Sequence, residues 1–186
     1  MKRGFVFIDG SNFYHKLKEL SGRLGSKRHL LGFDYQGFSQ WLIGENKVAG
    51  IRYYVGAITR MRGDEKSEEL YANQQKLLAR LHNQGIPAVL GTLIKHPDKS
   101  FHEKGVDVRL AVEMIRFARQ NAYDIAYLLS SDTDLVAAIE EVQSFGKSVQ
   151  YVGIAKGQSF GLTKAANDVR LLRSEDIEKF FPQTLV

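Results

Sequence analysis

The chain has 186 residues, 44% hydrophobic and 25% charged, with 26 Lys plus Arg against 21 Asp plus Glu and a formal net charge of +5. This balance suits one folded domain with a sizeable core and excludes a disordered chain. The apolar runs are too short to cross a bilayer, and the absence of cysteine excludes disulfides, thiolate zinc sites and cysteine nucleophiles.

The basic start "MKRGFVFIDG" carries an apolar run only as far as Ile8, short for a secretory leader, and a reducing cytoplasm is the expected location. Gly4 to Ile8 reads as a first strand. From Ser11 the period changes, with Phe13, Leu17, Leu20 and Leu24 at helical spacing, and this helix fades in "SGRLGSKRH". "FDYQGFSQWLIG" is a shorter helix, in which Trp41, Phe38 and Leu42 are expected to face the core. Gly50 to Ile58, rich in branched and aromatic residues, is a second strand. "DEKSEELYANQQKLLARLHNQG" is a helix with acid in its first turn and Gly85 as its stop. Ile86 to Ile94 is a third strand, with Pro87 near its start where a missing N–H costs least.

A basic loop follows, then the helical "KGVDVRLAVEMIRFARQ". Tyr123 to Ser130 is a fourth strand, "DTDLVAAIEEVQSFG" its helix, and "SVQYVGI" a fifth strand. A small segment, "DVRLL", and a last helix, "SEDIEKFF", close the chain. Strands alternating with helices predict an α/β fold, a mostly parallel sheet covered on both faces, as a single domain over residues 1–186.

Carboxylates stand at three unexpected places in this pattern. Asp9 directly follows the first strand. Asp107 shares a helical face with the apolar Leu110, Ala111 and Met114, while Arg109, Glu113, Arg116 and Gln120 form the opposite, solvated face. Asp132 and Asp134 follow the fourth strand, Asp132 on the face of Leu135, Val136 and Ile139 and Asp134 on the flank. A single aspartate after a strand is ordinarily a cap or turn former. In an open parallel sheet, however, ligands bind outside the carboxyl ends of the strands where connections diverge. If the first and fourth strands are neighbours there, the four acids converge, and an oxygen-only set without Cys or spaced His suits Mg²⁺ or Mn²⁺.

"FIDGSNFY", "KGVDVRLAVEMI" and "YDIAYLLSSDTDLVAAIEEVQSFGKSVQYVG", in this order, closely resemble the NYN domain, in its LabA-like bacterial branch, a member of the PIN-like nuclease superfamily. The resemblance implies a three-layer α/β/α sandwich with a mostly parallel sheet ordered 3-2-1-4-5, counting the five expected strands. It implies a divalent-metal-dependent ribonuclease site, with one or two Mg²⁺ or Mn²⁺ ions. Carried over by position, its acids fall on Asp9, Asp107, Asp132 and Asp134, and its polar residue after the first strand on Asn12. "SSDTDL" departs from the pattern, with Ser131 where many relatives have glycine and Leu135 where they have phenylalanine; every carboxylate remains in place.

On this reading Asp9 and Asp132 are the principal metal ligands, Asp107 and Asp134 are second ligands or anchors for metal-bound water, and Asn12 orients a ligand or touches a phosphate oxygen. Ser130 and Ser131 are turn and cap residues with a supporting role. The loops after the second and third strands carry Arg60, Arg62, Lys66, Lys95, Lys99 and Lys104 to the same edge, where they can contact RNA phosphates, and His96, Phe101 and His102 can stack on unpaired bases. Lys156, Ser159 and Lys164 follow the fifth strand and are weaker phosphate candidates. The expected partner is single-stranded RNA, with no membrane and with a homo-oligomer left open. A dehalogenase-like phosphatase is disfavoured because Gly10 and Ser11, not a second acid, follow Asp9, and a dinucleotide fold because its glycine fingerprint is missing. The serious rival is a catalytically weak or silent RNA-binding or regulatory module that keeps the metal site.

Overall fold

The computed structural model describes residues 1–22, 30–60, 63–95 and 101–182, without the side chains of 30, 92–95 and 101–104. At its centre lies β1 (Arg3–Asp9), buried on both faces from Gly4 onward. Because side chains alternate across a strand, Val6 and Ile8 enter one apolar core while Phe5 and Phe7 enter another. Three further strands are hydrogen-bonded on one side of β1 in the order β2 (Lys47–Gly56), β3 (Ala88–Lys95) and β4 (Phe101–Lys104). On the other side follow β5 (Ile125–Leu129), β6 (Ser148–Ile154) and β7 (Asp168–Leu172). All neighbours run parallel except β3 and β4.

The same alternation continues along the neighbours. Tyr127 and Leu129 of β5 and Val152 and Ile154 of β6 join the core of Val6 and Ile8; Ala126, Leu128, Val149 and Tyr151 join that of Phe5 and Phe7. The first core is closed by α1 (Gly10–Gly22), α2 (Tyr35–Ile43), α3 (Glu65–Asn83) and α7 (Ser174–Glu178), through residues such as Phe13, Leu17, Phe38, Leu81 and Ile177. The second is closed by α4 (Val106–Arg119), α5 (Val136–Ser144) and α6 (Phe160–Ala165), through Leu110, Met114, Ile139, Val142 and Leu162. Helices therefore cover both faces of a mostly parallel sheet, and the five expected strands take the order 3-2-1-4-5.

Two strands were not expected. The basic loop after β3 returns as β4, pairing Thr92 with Lys104 and Lys95 with Phe101; its charged, polar residues hide the apolar alternation that marks a strand. "DVRLL" adds at the opposite edge as β7. Its register is hooked by Asn167, whose Oδ1 accepts from the Val149 amide at 2.8 Å, and by a hydrogen bond from Gln150 to Asp168.

Aspartates mark several turns and helix starts: Asp34 accepts from the Gly37 amide before α2, Asp64 caps α3, and Asp176 accepts from the Arg173 amide. Trp41 packs on Phe38 and Phe180 beneath the Arg170 guanidinium, 4.0 Å from its ring.

Asp124 does more than turn the chain. Its carboxylate accepts from the Arg3 amide, Nε and Nη2, while Arg3 Nη1 donates to the Asn121 carbonyl, fixing the entry ends of β1 and β5 against each other. These hydrogen bonds from Arg3 hold the Asp124 carboxyl well below the usual carboxylate range. A carboxylate with a depressed folded-state pKa contributes stability above its unfolded pKa and loses it as acid protonates the folded form. Asp124→Ala is expected to lower the melting temperature at neutral pH, and the gap from the unsubstituted protein to narrow between about pH 5 and about pH 2. Thermal melts across that range followed by circular dichroism check it.

Candidate active site at the carboxyl ends of β1 and β5

Strand order reverses direction between β1 and β5: the chain leaves β1 into α1 on one face of the sheet and leaves β5 toward α5 on the other. The crevice opened there is where the sheet can admit a ligand.

Asp9 ends β1 at 8% exposure. Burying a carboxylate costs several kcal/mol unless hydrogen bonds replace its water, and three do so. The Asn12 amide donates to Oδ1 at 3.1 Å, and Oδ2 accepts from Asn12 Nδ2 at 2.5 Å and from Ser130 Oγ at 2.8 Å. The network continues across the crevice. Ser131 Oγ donates to Asn12 Oδ1, and the Asp132 amide donates to Ser130 Oγ at 3.1 Å. Asp132 in turn accepts from the Asp134 amide at 3.0 Å, forming the 3₁₀ turn Thr133–Leu135 that leads into α5.

Gly10 belongs to this arrangement for a steric reason. A Cβ on it would lie 2.4 Å from Tyr53 Cε1 and 2.7 Å from the Tyr54 carbonyl oxygen, so only glycine lets the turn after β1 run against β2. Gly105 serves α4 differently: it takes φ of +81° immediately before the helix, a conformation glycine adopts without strain, and places Asp107 in the first turn.

Asp107, Asp132 and Asp134 come together. One carboxylate oxygen from each lies within 4.8 Å of the others, with Asp107 and Asp132 half-buried and Asp134 exposed. Asp9, expected as a principal ligand, is not one of these three; its contacts are the hydrogen bonds to Asn12 and Ser130. Asn12, expected to meet a ligand or phosphate, spends its amide group on Asp9 and Ser131. Ser130 and Ser131 carry the cross-crevice bonds, which is the form their supporting role takes.

Elsewhere on the edge the expectations divide. Arg60 is exposed and directs a guanidinium nitrogen to Glu68 at 3.4 Å. Arg62, His96 and Lys99 lie outside the described residues. Lys95, Phe101, His102 and Lys104 are placed by backbone in the β3–β4 hairpin, with Lys104 three residues before Asp107. Ser159 caps α6, accepting from the Leu162 amide, while Lys156 is solvent-exposed and 4.0 Å from Glu19. Glu113, expected on the solvated face of α4, is half-buried and accepts from the Tyr54 hydroxyl at 2.8 Å. That hydroxyl points from the adjacent strand, and burial together with Glu113 pushes its pKa up.

Lys16 escaped the sequence reading. One turn beyond Asn12 on α1, it is only 7% exposed. Burial lowers its pKa, opposed by the negative charges of Asp9 and Glu19. Its place on the buried face, between Phe13 and Leu20, was the available signal.

The network predicts its own weak point. Ser130→Ala removes one donor from Asp9 and the acceptor of the Asp132 amide. Leaving such groups unmatched costs about 1–3 kcal/mol, read as a lower urea midpoint with an unchanged slope.

The NYN domain model matches residues 3–173. A protein of unknown function from Vibrio parahaemolyticus RIMD 2210633, solved by crystallography, has a similar fold. Its TM-score is 0.64 at 21% identity, over 97% of this chain and 96% of that one. No curated protein matches the chain at a significant level. With nearly its whole length matched, and with the strand order and acidic crevice expected of a PIN-like fold, the chain belongs to the NYN domain family.

Proposed function

We propose that this chain is a divalent-metal-dependent ribonuclease that hydrolyses phosphodiester bonds of single-stranded RNA. The observation that carries the reading is the convergence of Asp107, Asp132 and Asp134 from two separate elements, with oxygens within 4.8 Å. Its donor set is oxygen-only, half-buried to exposed, and charged enough to call for a counter-ion, which fits Mg²⁺ or Mn²⁺. Family membership, which places the chain in a nuclease superfamily, supports the same class of reaction.

A bound divalent cation supplies Lewis acidity and neutralises the charge that develops on a phosphodiester during hydrolysis. The chain's own residues do the rest. Asp132 and Asp107 are held at the crevice floor by a turn and a helix start, and the exposed Asp134 meets incoming substrate. Asp9, as the fourth acid of the site, adds negative charge and fixes Asp132 through Ser130. Lys16 offsets part of that charge from beneath. The chain around β3 and β4 is basic in sequence, with Lys95, His102 and Lys104, and Arg60 is exposed; phosphate contacts by such cations make RNA affinity fall as salt rises.

The experiment is single-turnover cleavage of a labelled RNA with Mg²⁺ or Mn²⁺ against EDTA, comparing the unsubstituted protein with Asp132→Asn. Asparagine keeps the oxygen that accepts from the Asp134 amide, so the turn is retained. Cleavage is expected to fall by more than about 100-fold, beyond the effect typical of a residue that only orients a ligand. Equal cleavage by both proteins, or cleavage unaffected by EDTA, overturns the reading. RNA binding without metal-dependent cleavage selects the regulatory module instead. The hydrogen bonds that tie the Asn12 amide to Asp9 and Ser131 give it a structural part that fits that second reading as well.

A further inference from the structure

A cavity of about 590 Å³ opens at the turn that follows Asp9. It begins at Gly10 and Ser11, the two residues after Asp9, and runs between α1, the end of β2 and α3. Its volume falls within the range of roughly 300–1,000 Å³ typical of small-molecule sites.

The lining has two kinds of surface. Tyr35 and Tyr53 are buried, packed edge-to-face with centroids 5.3 Å apart, and hydrogen-bonded to each other, so that wall is rigid. Tyr53 also donates to the Gly10 carbonyl at 3.3 Å, tying the wall to the turn that carries Asp9. Burial pushes the Tyr35 hydroxyl up to about 12, so it remains neutral at physiological pH. Tyr14 and Leu70, by contrast, are 43% and 47% exposed, leaving large apolar surface at the mouth. Among the described residues Asn73, on the same wall, makes no side-chain hydrogen bond, while its neighbour Gln74 is fully engaged with the Gly56 carbonyl and the Ile58 amide.

We infer that this cavity is a nucleobase subsite: it receives one unstacked base of an RNA strand whose phosphodiester lies at the acidic crevice, with Tyr14 as the stacking platform and Asn73 as the group that reads the base edge. The inference rests on the RNA reading above. Three features choose a base over other occupants. The cavity begins at Gly10, the residue after Asp9; it pairs an exposed aromatic face with an unspent amide; and none of its described lining residues is a carboxylate that would repel a nucleotide. A base stacked in a duplex cannot enter, so the subsite selects single strands.

The test measures binding in EDTA, so that cleavage plays no part. The probe is a short single-stranded oligoribonucleotide bearing one 2-aminopurine at successive positions, with a second series carrying an abasic residue instead. One position is expected to show quenched fluorescence, and removing the base there to weaken binding about ten-fold, the scale of one base stacked on an aromatic ring. Tyr14→Ala is expected to cause the same loss on the intact RNA and no further loss on the abasic one. Asn73→Ala is expected to change which base is preferred at that position. Tyr14 is 43% exposed, and a thermal melt establishes that the variant is folded. If Tyr14→Ala binds both RNAs like the unsubstituted protein, or if its loss adds in full to that of the abasic residue, the subsite is overturned while the ribonuclease reading stands. If the unsubstituted protein binds no RNA, both fall; if it binds with the expected pattern yet never cleaves, the subsite stands and the ribonuclease reading falls.

Discussion

The structure depends on how β1 and β5, strands more than a hundred residues apart in the chain, are locked side by side. At their entry ends Arg3 spans to Asp124 and Asn121; at their exit ends Asp9 and Asn12 hydrogen-bond Ser130 and Ser131. Between these clamps the register runs unbroken from Gly4 opposite Ile125 to Ile8 opposite Leu129. A one-residue slip would reverse every side chain of a strand buried on both faces, sending Phe5 and Phe7 into the space shaped for Val6 and Ile8. Polar clamps at both ends and apolar selectivity between them therefore specify the same pairing, and the crevice at the exit end follows from it.

That division explains what the sequence disclosed. Strong apolar runs bounded by turns located the five central strands, and "SVQYVGI" ends where β6 ends because both its cores demand branched or aromatic residues. The edge strands escaped notice. β4 has its chemistry on charged side chains and needs only one neighbour, and β7 owes its place to the polar hooks of Asn167 and Asp168 rather than to a long apolar pattern. Glu113 was misplaced because helical periodicity fixes an angle around the axis but not the reach of a neighbouring strand, whose Tyr54 hydroxyl extends to meet it. The acids were legible as acids at strand and helix ends. Which of them group together was not, since that depends on the turn Ser130–Asp134 and on the half-buried approach of α4.

The four aspartates consequently do different work despite identical chemistry. Asp9 is buried, and its oxygens are spent on two strand-end turns, so its negative charge is held rigid and shielded from water. Asp107 and Asp132 are half-buried, Asp134 is exposed, and the three retain oxygens close enough to share one cation. Charged hydrogen bonds of the kind Asp9 makes contribute about 1.5–3 kcal/mol each, enough together to offset its desolvation. A fully exposed acid would gain less from such a network and would leave the crevice without a fixed wall.

Lys16 completes this logic from the protein side. A buried ammonium near a buried carboxylate lowers the local excess of negative charge beside the acidic group. The protein as a whole carries net charge of +5, yet its described acidic group is concentrated at one point of one edge. A polyanion approaching that edge meets repulsion unless the carboxylates are compensated, and compensation by a divalent cation would turn the same point attractive. Placement alone would set any such coupling: Asp107, Asp132 and Asp134 lie close enough to share one ion, and Lys16 is buried within reach of the Asp9 charge.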